Sequence, residues 1–289
     1  MPLIRWLNRH GWIFSLTGLL CTAAVLYYIA PLLLTRGNAV PVFLWLLKEL
    51  LVIALIAALC RGLLQGSKSL WLYCTAAEVN AALKESARTR DPEPSVAVCR
   101  ELQAVWWRTW PKPSLHPAVQ MALSIAFNDL GRFQEAEQEL NLILAAYRQY
   151  PPEARLQIES VAAVIKLKAG KPEDARSYLA EMARHVDKLP KDSERKRWQG
   201  ILENRRCLYR LLTEGGSEEL LSAYRQQLTG CKDLYDQVTI HMNLARCLLD
   251  LGRGDEARPH LTFVAENGGK LAIRAEASAR LAALSPAEN

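Results

Sequence analysis

An all-α chain, a two-helix transmembrane hairpin followed by an α-solenoid of helical pairs, is predicted by three observations in this 289-residue sequence. The first is a stretch of 23 residues, Trp12 to Leu34, without a formal charge. The second is a glycine followed five residues later by an alanine, with acidic residues just ahead of that alanine. It occurs as Gly131 to Ala136, Gly170 to Ala175 and Gly252 to Ala257. The third is their spacing: the alanines lie 39 and then 82 residues apart, so a further unit is expected between the second and third. A period near 40 residues marks stacked helical units, each leaving an apolar face that only its neighbour can cover.

Taken from the N-terminus, the uncharged run is long enough for one span, since about 20 apolar residues cross the hydrocarbon core as a helix. A second apolar stretch, from Val40 to Leu64, opens on Pro41 and is interrupted by Lys48 and Glu49. The spans are therefore set at about 12–34 and 40–64, joined by a short polar turn at 35–39. A cleavable signal peptide is not expected, because the apolar run continues well past the small residues Thr22, Ala23 and Ala24. Arg5, Arg9, Arg61 and Lys68 flank the terminal side against Arg36 in the turn, which predicts an integral plasma-membrane protein with both termini cytoplasmic. Trp6, Trp12, Tyr27, Tyr28 and Trp71 fall near the expected boundaries as interfacial anchors. Lys48 and Glu49 form an intramembrane polar pair of positions: Lys48 can reach the headgroups, whereas Glu49 needs a partner or a proton.

Residues 65–113 read as a helical connector. Apolar positions at helical spacing from Leu70 to Glu85 give way to the breaker at 90–94, and a second helix from Ser95 to Trp107 is stopped by Pro111 and Pro113. Trp106, Trp107 and Trp110 are expected to seal the end of a core.

The solenoid is placed at 114–289 with about four units. Seven positions before each motif glycine stands a small residue, Ser124, Ala163 or Ala245, and nine positions after it Leu140, Leu179 or Leu261. Both helices of a unit thus carry one apolar stripe, and the small residues let them approach closely. This pattern resembles the tetratricopeptide repeat over roughly residues 115–285, most closely in units 117–150 and 238–267. The unit at 154–188 departs by placing Lys166 where a large apolar residue is usual. Near 199–229 the motif is degenerate, with Leu208 at the small position and two successive glycines, Gly215 and Gly216, at the turn.

The resemblance implies a scaffold or adaptor that binds a peptide segment or protein partner on a concave surface lined by first helices. The residues it assigns there are Met121, Ile125, Asn128 and Asp129, then Lys168, then Arg205 and Tyr209, then Met242, Asn243 and Arg246, with Ser160, Val164 and Asp250 beside them. Arg205 and Arg246 are the pair expected to hold acidic groups. A chaperone-type carboxylate clamp is not expected, since Met121 and Ile125 occupy its positions. The competing reading is an accessory subunit of a membrane enzyme, transporter or envelope-assembly complex that binds mainly through its hairpin.

Composition narrows the classes further. The net charge of +6 divides into +4 for residues 1–64 and +2 for the rest, so no concentrated basic footprint points to nucleic acid. The seven cysteines lack C-x-x-C spacing and read as free thiols. No glycine-rich phosphate loop, H-E-x-x-H or G-x-S-x-G is present, and His241 with Cys247 lacks the companions of a zinc site. No enzyme, metal or cofactor is expected.

Overall fold

The computed structural model describes residues 73–109 and 117–284, all helices, turns and loops without a strand among the described residues. Both predicted spans, Lys48, Glu49 and the aromatic anchors lie outside them, as do the side chains of Trp106, Trp107 and Trp110. Among the described residues no helix is long and apolar enough to cross a membrane. The described residues fall into two compact units, 73–80 with 100–109 in one and 81–99 with 117–284 in the other. Residues 81–99 therefore go with the repeats.

Two helices, 73–89 (α1) and Glu93–Thr109 (α2), are separated at the expected breaker. The repeats follow as α3 (Pro117–Asp129) with α4 (Phe133–Leu144), α5 (Pro152–Lys168) with α6 (Pro172–Asp187), α7 (Asp192–Glu214) with α8 (Glu218–Gly230), and α9 (Leu234–Asp250) with α10 (Gly254–Asn267). A single helix, α11 (Ala272–Leu284), packs on α10 and ends the array. Local chemistry explains the starts. Proline stands in the first turns of α5 and α6, where its missing N–H costs nothing. The carboxylate of Asp233 accepts from the N–H groups of Tyr235 and Asp236 to open α9.

The three motif turns are built alike. Gly131, Gly170 and Gly252 have φ of +74°, +77° and +73°, a left-handed backbone that glycine adopts without steric cost. In each, the N–H after the glycine donates to a carbonyl five residues back: Arg132 to Phe127 at 2.8 Å, Lys171 to Lys166 at 2.9 Å, Arg253 to Leu248 at 2.8 Å. This pairing satisfies carbonyls that the helix end leaves open and reverses the chain at a fixed angle. The motif alanines Ala136, Ala175 and Ala257 are fully buried, as are Ser124 and Ala245 one helix earlier. Side-chain volume at these positions is what sets helix separation.

The third pair is different. Leu208 fills the small position, and α7 and α8 make little contact with each other, whereas α7 packs on α5 and α6 and α8 on α9. The core divides accordingly: one cluster gathers Leu156, Met182, Trp198 and Leu202, another Leu211, Tyr224, Leu244 and Leu261, and α7 contributes to both. That helix begins at Asp192, some seven residues before the unit expected near 199, and is the longest of the repeats at 23 residues. Lys166, the departure in the second unit, is nearly buried and resolves as an ion pair with Glu137 of α4 at 2.5 Å.

Inner helices contact one another in sequence, and the array also closes back on its start. Tyr235, at the beginning of α9, donates its hydroxyl to Asp129 of α3 at 2.7 Å. Where α11 begins, Ala272 leaves so little room that a Cβ added to Gly131 would lie 2.9 Å from it. Just before, Lys270 donates its N–H to the Arg90 carbonyl at 2.8 Å and pairs with Asp91 at 2.6 Å.

Candidate functional site

The inner faces of α3, α5, α7, α9 and α11 enclose a cavity of about 640 Å³. This lies within the range of about 300–1,000 Å³ usual for ligand pockets. Of the residues assigned from sequence, Ile125, Asn128, Asp129, Lys168, Arg205, Met242, Asn243 and Arg246 line it, with Val164. Met121 lies one helical turn above that lining on α3 and is half-buried. Tyr209 faces the core instead: the inner face of α7 follows Arg205, Leu208 and Leu212, and Tyr209 sits about 40° round from Arg205 on the other side. Its hydroxyl accepts from Arg176 at 3.1 Å. Asp250 is turned to the third turn and accepts the Gly216 N–H at 2.7 Å. Ser160 acts from behind, accepting from Arg205 Nε at 3.0 Å.

The sequence reading missed one side of the wall, formed by Tyr235, Asp236 and Thr239 of α9 and by Leu271, Ile273 and Glu276 at the start of α11. Helix α11 carries no glycine–alanine motif, and its approach to α3 depends on the curvature of the whole array.

Charge is distributed unevenly. Arg246, one of the two arginines assigned to acidic ligands, is fully engaged: Nε and a terminal nitrogen donate to the Glu276 carboxylate at 3.1 and 2.5 Å, the other terminal nitrogen to Asn243 at 3.3 Å. Burial pushes the Glu276 carboxyl up, but Arg246 and Arg280 more than reverse this and hold it below its ordinary value. Arg246 is thus committed to Glu276, while Arg205 and Lys168 line the same cavity. Neither Lys168 nor Arg205 has a carboxylate within ion-pair distance among the described residues. Both keep some solvent contact in the open cavity, yet protein surrounds them closely. Burial, with Arg246 and Arg205 adding to it, pulls the Lys168 ammonium down against the attraction of Asp129. Burial likewise opposes the charge on Arg205. Across the cavity, burial raises the Asp129 carboxyl, with the Tyr235 hydroxyl working against that shift. An incoming anion would restore to Lys168 and Arg205 part of the solvation the wall removes.

Residues 238–261, from within α9 into α10, match the family model described as tetratricopeptide repeat. Together with the repeated helical pairs and their shared turn geometry, this match supports repeats of the tetratricopeptide type, and such repeats suggest a protein-interaction scaffold. Neither the curated proteins nor the solved structures include a match to the chain.

Proposed function

We propose that the chain is a membrane-anchored adaptor whose repeats take a short acidic segment of a partner protein into the cavity at the cytoplasmic face. The observation that carries this reading is the pair of cations, Lys168 and Arg205, on a concave wall where no carboxylate among the described residues lies within ion-pair distance of either. Ile125, Val164, Met242 and Ile273 supply apolar contact beside them, the usual division of labour between affinity and orientation in a pocket. Because five helices ring the space, the bound segment is short. The anchor rests on the uncharged run at 12–34 and the apolar run at 40–64, and the cytoplasmic side on the flanking Lys and Arg. Tethering raises the local concentration of the scaffold near membrane-bound partners without new contacts. No catalysis is proposed.

The direct test is fluorescence anisotropy of short labelled peptides with the full chain in detergent. Glu/Asp-containing peptides should bind more tightly than their Gln/Asn counterparts, less so at high salt, since screening weakens such pairs. The double substitution Lys168→Ala with Arg205→Ala should weaken binding at least about tenfold, each lost charge-assisted bond counting for roughly 1.5–3 kcal/mol. Equal binding of neutral and acidic peptides would reject the charge argument. For the anchor, the chain should resist alkaline extraction from membranes. Its side can be read from labelling of Cys231, which is partly exposed; Cys247 is fully buried and cannot report.

A further inference from the structure

Away from the cavity, α5 and α6 bring together Glu159, Glu181 and His185, whose potential ligand atoms all lie within 4.8 Å of one another. Glu181 and His185 are four residues apart on α6 and so share one face, while Glu159 meets them from α5. The Glu159 side chain is completely buried. Its Oε1 accepts from the Tyr147 hydroxyl and lies 2.7 Å from His185 Nδ1, whereas its Oε2 is buried without a hydrogen-bond partner. A buried acceptor left open costs about 1–3 kcal/mol, and a second carboxylate close by adds repulsion. A cation at this point would answer both.

We propose that Glu159, Glu181 and His185 form a divalent transition-metal site of the zinc type, with Tyr147 as an outer hydrogen-bonding partner. One imidazole nitrogen and two carboxylate oxygens suit Zn²⁺, bound at about 2.0–2.2 Å, and three protein ligands leave a further position for water. Tetrahedral ligand atoms at such distances stand about 3.4 Å apart. The cluster approaches this by opening the His185–Glu159 contact slightly and swinging in Glu181, which is 43% exposed and, among the described residues, held by Arg184. His185 retains 22% exposure, giving the ion a path from solvent. The ligands come from two helices and span residues 159–185, a spacing that fits no compact metal motif.

The test is calorimetric titration of the purified, metal-free full chain in detergent with Zn²⁺, together with Co²⁺ absorption spectroscopy. One equivalent should bind, and Zn²⁺ should raise the unfolding midpoint, as any ligand of the native state does. Glu159→Gln and His185→Gln should each weaken binding at least about tenfold, since loss of even an outer partner commonly costs 10–100-fold. Glu181→Gln keeps the experiment decisive should the buried substitution disturb folding, because its side chain is partly exposed. A double substitution of His241 and His260, the other facing imidazoles, should leave affinity unchanged. Absence of stoichiometric binding, binding indifferent to all three ligand substitutions, or loss only in the His241/His260 variant would overturn the site.

Discussion

The turn between α5 and α6 has one glycine in the left-handed region, Gly170, whereas the turn between α7 and α8 has its own there, Gly215 at φ +88°, and a second glycine, Gly216, required for a different physical reason. Gly170 is required for handedness: its φ is +77°, and a Cβ added there would meet nothing within 4 Å. Gly216 is required for space, because a Cβ there would lie 2.6 Å from both Cα and the carbonyl oxygen of Cys247 on α9. In the regular pair the two helices belong to each other. In the degenerate pair the turn is held by the following repeat, through Asp250 and the Cys247 backbone. A solenoid can therefore lose the packing within one unit and remain continuous, provided that the neighbours cover both faces.

The largest effect expected from breaking this comparison is at the buried ion pair that compensates for Lys166. Glu137→Ala leaves a nearly buried ammonium without its main partner and should cost about 3–5 kcal/mol, while Lys166→Met with Glu137→Gln should be much milder. Denaturant unfolding monitored by circular dichroism measures both. Lys166 and Lys171 also hold the Glu137 carboxyl below its ordinary value by hydrogen bonding, against the opposing effect of burial. This contribution is present above the unfolded pKa and is lost as acidification passes the lower folded value.

Next comes the glycine contrast itself. Gly216→Ala should destabilise by about 2–3 kcal/mol, because overpacking has to move backbone. Gly170→Ala should cost about 1–2 kcal/mol from left-handed strain alone. Equal costs would mean that the third turn adjusts freely and that its neighbour does not hold it.

A smaller effect tests the regular fourth pair. His241 and His260 face each other with Nδ1 atoms 2.8 Å apart, and His241 stacks on Phe263. Burial, then the neighbouring His260, pulls His241 down from 6.5 to about 4, and burial lowers His260. With folded values below the unfolded ones, acidification favours the unfolded chain. Stability is intact above about pH 6.5 and falls toward pH 4, by about 1 kcal/mol after allowance for solvent screening. Thermal midpoints across this window should flatten in the variant His241→Phe with His260→Leu.

The smallest effect concerns closure of the array. Tyr235→Phe removes the bond to Asp129 and should cost about 1 kcal/mol. Hydrogen exchange should rise at the α9 N-terminus while the motif turns remain protected.

Much of the repeat architecture could be read directly from residues. Glycine handedness, the small residue one helix earlier and the leucine one turn beyond the alanine are local requirements, so a single sequence displays them. The cavity was legible on α3 and α5, at Arg205 of α7 and over the last turns of α9, but not at the start of α9 or on α11. Tyr209 turned inward because α7 follows its own apolar face, with Leu208 and Leu212 toward the cavity, and no glycine–alanine register fixes that rotation. Glu276 gave no signal because its role exists only where α11 meets Arg246.

By itself, then, the sequence determined that the motif-bearing segments are paired helices, where three of the turns reverse and which alanines are buried, since backbone handedness and side-chain volume act over a few residues. Tertiary structure alone decided which charges neutralise each other and which remain free. Arg246 and Glu276 are 30 residues apart, and Asp129 and Tyr235 are 106 apart. Electrostatic partnership depends on distance through space, which for these groups is set by the accumulated curvature of every helix between them.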